Sequence, residues 1–210
     1  MGDMTRGTDT RERLLEAAHR LLWEQSLSAA SVDAICEKAG VQKGSFYHFF
    51  KSKGELIAAS LEANFSALKL EYDRIFSPTR PPIQRLKDYF AFKYQHQARL
   101  REQTGRVLGC PLASAGSSCS MEDRLIRDKV QEVHKIGKKY LETTIRDGQA
   151  DGTIPVKDVA AAVESVFAYI EGVLTVARIQ NDLKPFENLG KGVFALLGVT
   201  GKRTPAPAKP

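Results

Sequence analysis

Hydrophobic positions in this chain recur with helical spacing, and nowhere do apolar and polar residues alternate convincingly enough to predict a strand. Leu14, Leu15, Ala18, Leu21 and Leu22 give a first helix its apolar face, and Asp9 with Glu12 is the capping-box-like pair predicted to open it. Ser31 is the predicted N-cap of a second helix whose Val32 and Ile35 point inward. Gly40 ends it, because glycine adopts the left-handed conformation that a helix terminus often requires. A short third helix is predicted from Gln42 to Phe49. Ser52 and Glu55 then form an S-x-x-E box that opens a long fourth helix reaching Phe76.

The run SPTRPP, residues 77–82, cannot continue a helix and marks the one strong boundary. Helical patterning resumes over 83–103. The small-residue stretch GCPLASAGSS, 109–118, is broken by Pro111 and reads as a short helix, a loop or both. Residues 121–147 are helical again, DGTIP at 151–155 is a turn, and 156–180 and 185–197 read as two final helices. No internal repeat is present. The tail GKRTPAPAKP is predicted to be disordered.

Composition alters this picture little: 42% hydrophobic and 27% charged residues are ordinary for a globular chain of 210 residues. The formal charge of +6 mildly favours a polyanionic partner. Its distribution says more. Lys38, Lys43, Lys51 and Lys53 fall between residues 38 and 54 with no acid among them, whereas the residues before Lys38 hold seven acids against four arginines. No apolar run is read as approaching the roughly 20 residues needed to span a bilayer, and no export signal is seen, so a cytoplasmic location is expected. Three cysteines without CxxC spacing suit a reducing compartment, and His19, His48, His96 and His134 form no metal-ligand motif. Neither a metal nor a cofactor is expected.

On a helical wheel the third helix gathers Phe46, Phe49 and Phe50 on one side. Gly44 and His48 lie opposite, with Ser45 and Tyr47 on the flanks. The phenylalanines can bury against the first two helices, leaving hydroxyl and imidazole groups and a glycine outward. Two short helices joined by AGV, the second carrying that surface, form a helix-turn-helix whose second helix fits the DNA major groove.

With these residues in view, the first fifty-odd positions resemble the DNA-binding domain of TetR-family transcriptional regulators. The resemblance rests on Ser31-Val32, Ile35, Ala39-Gly40-Val41, Lys43-Gly44-Ser45-Phe46-Tyr47, Phe50, Lys53 and Leu56. It implies an all-α protein: a DNA-binding domain over 1–54, a helical effector-binding and dimerisation domain over 55–198, and a tail over 199–210. It further implies that Gln42, Lys43 and Ser45 reach base edges or the flanking backbone. Gly44 would allow close approach, Tyr47 would place its hydroxyl on a phosphate, and His48 would lie over the backbone or a thymine methyl. Lys53 would pair with a phosphate, aided by free N–H groups at the start of the fourth helix, and Ser31 would do likewise at the second. Phe49 departs from the pattern, since many relatives carry histidine there.

One helix-turn-helix makes few contacts, so a homodimer on a palindromic operator in double-stranded DNA is expected. Ala161, Ser165, Ala168 and Gly172 place small residues at spacings of three or four, where partner helices approach closely; Phe194 and Leu197 join them as dimer-interface candidates. Val166, Phe167, Ile170, Val173 and Leu174 would supply apolar area there. Phe90, Tyr94, Gln97, Tyr140, Phe167 and Tyr169, with Cys110, mix aromatic area and polar tips as pockets for small-molecule effectors do. The expected function is a TetR-like repressor released from its operator by an effector that shifts the fourth helix. A cysteine-switched repressor using Cys110 is the alternative within the class, and a helical enzyme or adaptor the alternative outside it. No catalytic motif is found, and G-x-G-x-x-A at 190–195 lacks the preceding strand that would give it meaning.

Overall fold

The computed structural model describes residues 3–25, 27, 30–120 and 123–199, with side chains from Asp9 onward. Among them every regular element is helical: α1 Asp3–Glu24, α2 Val32–Ala39, α3 Lys43–Phe49, α4 Lys53–Ile75, α5 Pro82–Thr104, α6 Pro111–Ser118, α7 Arg124–Ala150, α8 Val159–Gln180, a 3-10 turn Lys184–Asn188, and α9 Leu189–Leu196. The expected tail at 199–210 lies outside the described residues, save Val199. The chain divides into two compact units, Met1–Asp73 with Leu108–Gly137, and Arg74–Val107 with Lys138–Pro210.

In the first unit α1 supplies Leu14, Ala18, Leu21 and Leu22 to a core shared with Ile35 and Ala39 of α2, Phe46 and Phe50 around α3, and Leu56, Ile57 and Leu61 of α4. Ala115 of α6 and Ile126 and Val130 of α7 complete it from far along the chain. Each large side chain buried this way contributes about 1.5–3 kcal/mol. Polar bonds fix the register. Ser60 Oγ donates to the Leu15 carbonyl at 3.1 Å, and Trp23 Nε1 to the Gly109 carbonyl at 3.2 Å. His19 Nε2 faces Asn64 Nδ2 at 3.2 Å, and its ring meets Trp23 edge-on at 4.8 Å. Burial, helped by the charge of Arg20, pulls the His19 pKa down from 6.5 to about 4. One expectation changes here: α1 begins before Asp9, which is an interior residue 3.7 Å from Arg13, one turn on, rather than a cap.

The second unit is built around Arg85, whose side chain is only 2% exposed. Its Nε donates to the Arg80 carbonyl at 2.7 Å, Nη2 to the Pro78 carbonyl at 2.9 Å, and Nη1 to Asp147 Oδ2 at 2.6 Å. This fastens the proline-rich 77–82 turn to α7. Asp158 caps α8 through the Ala161 N–H at 3.0 Å, three residues later than the sequence predicts the helix to start. Asn181, at φ 50°, ends α8 in the left-handed conformation, and its Oδ1 accepts from the Val107 N–H at 2.8 Å.

Val159, Val163, Val166, Ile170, Leu174 and Ala177 bury one stripe of α8 in this unit. Val166, Ile170 and Leu174 are thus covered by side chains of their own unit. Leu197, another expected interface residue, is 1% exposed. A further correction concerns length and composition: by these alone, α8 is long and apolar enough to cross a bilayer.

Candidate nucleic-acid interface

Local chemistry explains why residues 31–50 fold as they do. Ser31 Oγ accepts the Ala34 N–H at 3.1 Å, as an N-cap should. Gly40 sits at φ 63°, where its N–H reaches the Glu37 carbonyl and the Val41 N–H reaches that of Cys36, both at 3.0 Å. That pattern closes α2 and reverses the chain. Arg13 seals the turn from α1, donating through Nη2 to the carbonyls of Ala39 and, at 2.8 Å, Gly40. A helix C-terminus carries partial negative charge, so a guanidinium suits it. Nothing in the spacing of the sequence marks Arg13 for this role.

Phe46 is fully buried and Phe50 nearly so, while Phe49 is half-buried. Their seating turns the opposite face of α3 outward. Gln42, Lys43, Gly44, Tyr47 and His48 are exposed and Ser45 is half-buried. Tyr47 is 55% exposed, its ring held edge-on against Phe46 at 5.0 Å so that the phenol projects. Among the described residues, and apart from its chain neighbours and its own helix backbone, nothing lies within 4 Å of where a Gly44 Cβ would stand, so the backbone there is open to close approach. Phe50 carries the Arg11 guanidinium 5.6 Å above its ring.

Three of the four lysine side chains have partners that the sequence does not show. Lys43 Nζ lies 2.8 Å from Asp33 Oδ1, and Lys38 Nζ lies 3.8 Å from Glu24 Oε2. The Asp33 hydrogen bond and charge hold the Lys43 pKa above its ordinary value. Lys53 Nζ donates to the Leu27 carbonyl at 3.3 Å. At the start of α4 one bond of the predicted capping box is formed, Ser52 Oγ accepting the Glu55 N–H at 3.1 Å, whereas Glu55 Oε2 reaches one residue further back and accepts the Lys51 N–H at 2.7 Å. One of the N–H groups expected to be free for a phosphate there, that of Glu55, is thus already satisfied. Asp33, Glu24 and Glu55 are the acids that a count of charge along the segment does not reveal.

The residues expected to line an effector pocket are spread over both units. In the second, Phe90 is buried against Phe194 with ring centroids 5.9 Å apart, and Tyr94 meets Phe186 at 6.2 Å. Tyr140 stacks on Phe76 at 5.1 Å, and Phe167 lies under Lys138 Nζ at 5.1 Å. Tyr169 occupies the space beside Gly192 that a side chain there would need. Gln97 is buried. Cys110 belongs to the first unit and is half-buried. The expected interface residues Ala161, Ser165, Ala168 and Gly172 are all exposed on one side of α8, and Phe194 is half-buried. Sequence reasoning missed Val176 and Ile179, which extend that exposed face, and the exposed Leu196 of α9. Residues 190–195 fall within α9, and no strand precedes them among the described residues.

A capped helix, a glycine turn and a second helix seated by two buried phenylalanines define a helix-turn-helix DNA-binding protein of the kind that regulates transcription. Residues 14–60 match the family described as "Bacterial regulatory proteins, tetR family", and residues 82–192 match "Tetracyclin repressor-like, C-terminal domain". The chain belongs to the TetR family. It is 26% identical over 193 residues to the HTH-type transcriptional repressor DhaR of Mycobacterium sp. (strain GP1), covering 90% of this chain and 93% of that one. Regulatory protein TetR from Rhodobacter sphaeroides has a similar fold, with a TM-score of 0.77 and 24% identity over 88% of this chain and 97% of that one. So does the transcriptional regulator FadR from Bacillus subtilis in complex with stearoyl-CoA, with a TM-score of 0.69 and 21% identity over 91% and 99%. These matches are regulators rather than enzymes, and they do not favour the cysteine-switched alternative.

Proposed function

We propose that this TetR-family regulator is a homodimeric, cytoplasmic repressor that leaves a palindromic operator when a small molecule binds. The observation that carries the reading is the outward face of α3. Gln42, Lys43, Gly44, Tyr47 and His48 stand exposed there on the seat formed by Phe46 and Phe50. Gln42, Lys43 and Ser45 meet base edges or the adjoining backbone, Gly44 lets the helix approach, and Tyr47 places its hydroxyl on a phosphate. His48 lies over the sugar–phosphate chain. Ser31 and Lys53 contact phosphates at the ends of α2 and α4, Lys53 by exchanging the Leu27 carbonyl for the stronger acceptor.

In this reading residues 1–54 bind DNA and 55–198 bind the effector and the second subunit. The exposed stripe of Ala161, Ser165, Ala168 and Gly172, with Val176 and Ile179 below, supports a close helix–helix dimer contact. The aromatic residues of the second unit, Phe90, Tyr94, Tyr140, Phe167 and Tyr169 with Gln97, support an effector of substantial apolar area. A fold neighbour whose structure holds stearoyl-CoA agrees with that. The effector acts only by binding the DNA-incompetent arrangement more tightly.

Titrating duplex binding against salt tests the reading. The protein should select an inverted repeat from a random duplex pool and lose affinity steeply as salt rises. Lys53→Ala and Tyr47→Phe should both weaken binding, and only the lysine change should flatten the salt dependence. Failure to prefer any duplex at low ionic strength would overturn it.

A further inference from the structure

Asp33 lies in the first turn of α2, and its carboxylate reaches the ammonium of the residue that opens α3. The two side chains are 77% and 54% exposed, and the Nζ–Oδ1 distance is 2.8 Å. Exposed ion pairs contribute little to folding stability. The effect of this one therefore falls on what the surface binds. An unrestrained lysine, with a flexible four-carbon stem and a compact charge, is drawn to phosphates, which every sequence offers equally. Asp33 changes that in two ways. It fixes the ammonium while using one of its three donors, leaving the others for a further acceptor. Its negative charge also repels a phosphate oxygen approaching the same ammonium, whereas a base edge presents only partial charge.

Resting on the DNA-binding reading above, we propose that Asp33 is a positioning residue for sequence recognition. Its carboxylate holds Lys43 for an acceptor on a base edge, such as guanine O6 or N7, and denies that lysine to the phosphate backbone. Asp33 is thus a source of selectivity that itself touches no base.

The experiment uses the full chain, a duplex enriched from a random pool by the wild-type protein, and the same duplex scrambled. Asp33→Asn, which is isosteric and exposed, should bind the scrambled duplex about three- to tenfold more tightly at low salt, with a salt slope steeper by about 0.9. Binding of the enriched duplex should be unchanged or weaker, so the preference between the two falls. Asp33→Glu, which keeps the charge, should retain most of the preference. In a Lys43→Ala background, Asp33→Asn should shift both duplexes equally. An equal gain on both duplexes with Lys43 present overturns the proposal while leaving the regulator reading intact. A wild-type protein that prefers neither duplex removes that reading and this inference with it.

Discussion

Arg85 and Asp147, 62 positions apart, form a salt bridge of 2.6 Å in which the guanidinium is almost wholly buried and the carboxylate is 40% exposed. The asymmetry ranks two substitutions. Arg85→Met strands the Pro78 and Arg80 carbonyls as well as Asp147, and should lower unfolding free energy by about 2–4 kcal/mol. Asp147→Asn leaves Arg85 its two carbonyl partners and should cost less than half as much. Urea denaturation of both variants measures the difference, and equal losses would contradict the ranking.

Gly40 and Gly44 make a second contrast. At Gly40, φ is 63° and a Cβ would lie 2.9 Å from Arg13 Nη2. Gly40→Ala should cost about 1–2 kcal/mol from backbone strain. Gly44 has open space around its missing side chain, so Gly44→Ala should gain up to about 1 kcal/mol of stability from helix propensity. Its duplex affinity should nevertheless fall, because the added methyl stands on the face that meets DNA. Thermal melting paired with duplex titration separates the two effects.

Protonation of His19 supplies a pH dependence of known sign. The pKa falls from 6.5 in the unfolded chain to about 4 in the fold, so between these values the unfolded state binds more protons. Its contribution is fully present above pH 6.5 and is lost as pH falls through 4, about 3 kcal/mol at the limit. His19→Phe should remove this slope. Subtracting the variant's stability profile from that of the wild type over pH 7 to 3.5 isolates the histidine from the carboxylates that titrate in the same range.

Ile179 is 76% exposed at the end of the small-residue face of α8. If that face joins two subunits, Ile179→Asp buries a charge without a partner and should convert the dimer to monomer at micromolar concentration. Sedimentation velocity reads the change. Duplex affinity should fall with it, since two half-sites then need two independent encounters.

The helix-turn-helix was legible because its signals are local. Ser31, Gly40 and Ser52 act within three or four residues of themselves, and the structure forms the caps and the left-handed turn they predict, while Glu55 bonds back to Lys51 rather than to Ser52. Asp9 and Glu12 carried the same kind of signal and misled, because α1 continues through them. The apolar residues of α8 were recognised, but a helix apolar on most sides does not disclose which stripe faces its own core. Val166 and Ile170 are buried in it, and Ile179 is exposed. Partners distant in sequence left no trace: neither Asp33 beside Lys43 nor Arg13 on the Gly40 turn follows from spacing.

The core beneath the recognition helix borrows Ala115, Ile126 and Val130 from the middle of the chain, and Trp23 is hydrogen-bonded to Gly109 beside them. The reading head is therefore not a detachable cartridge. A chimaera that grafts residues 1–73 onto another regulator would leave a hole where those three side chains belong, unless the donor's 108–137 segment travels with the graft.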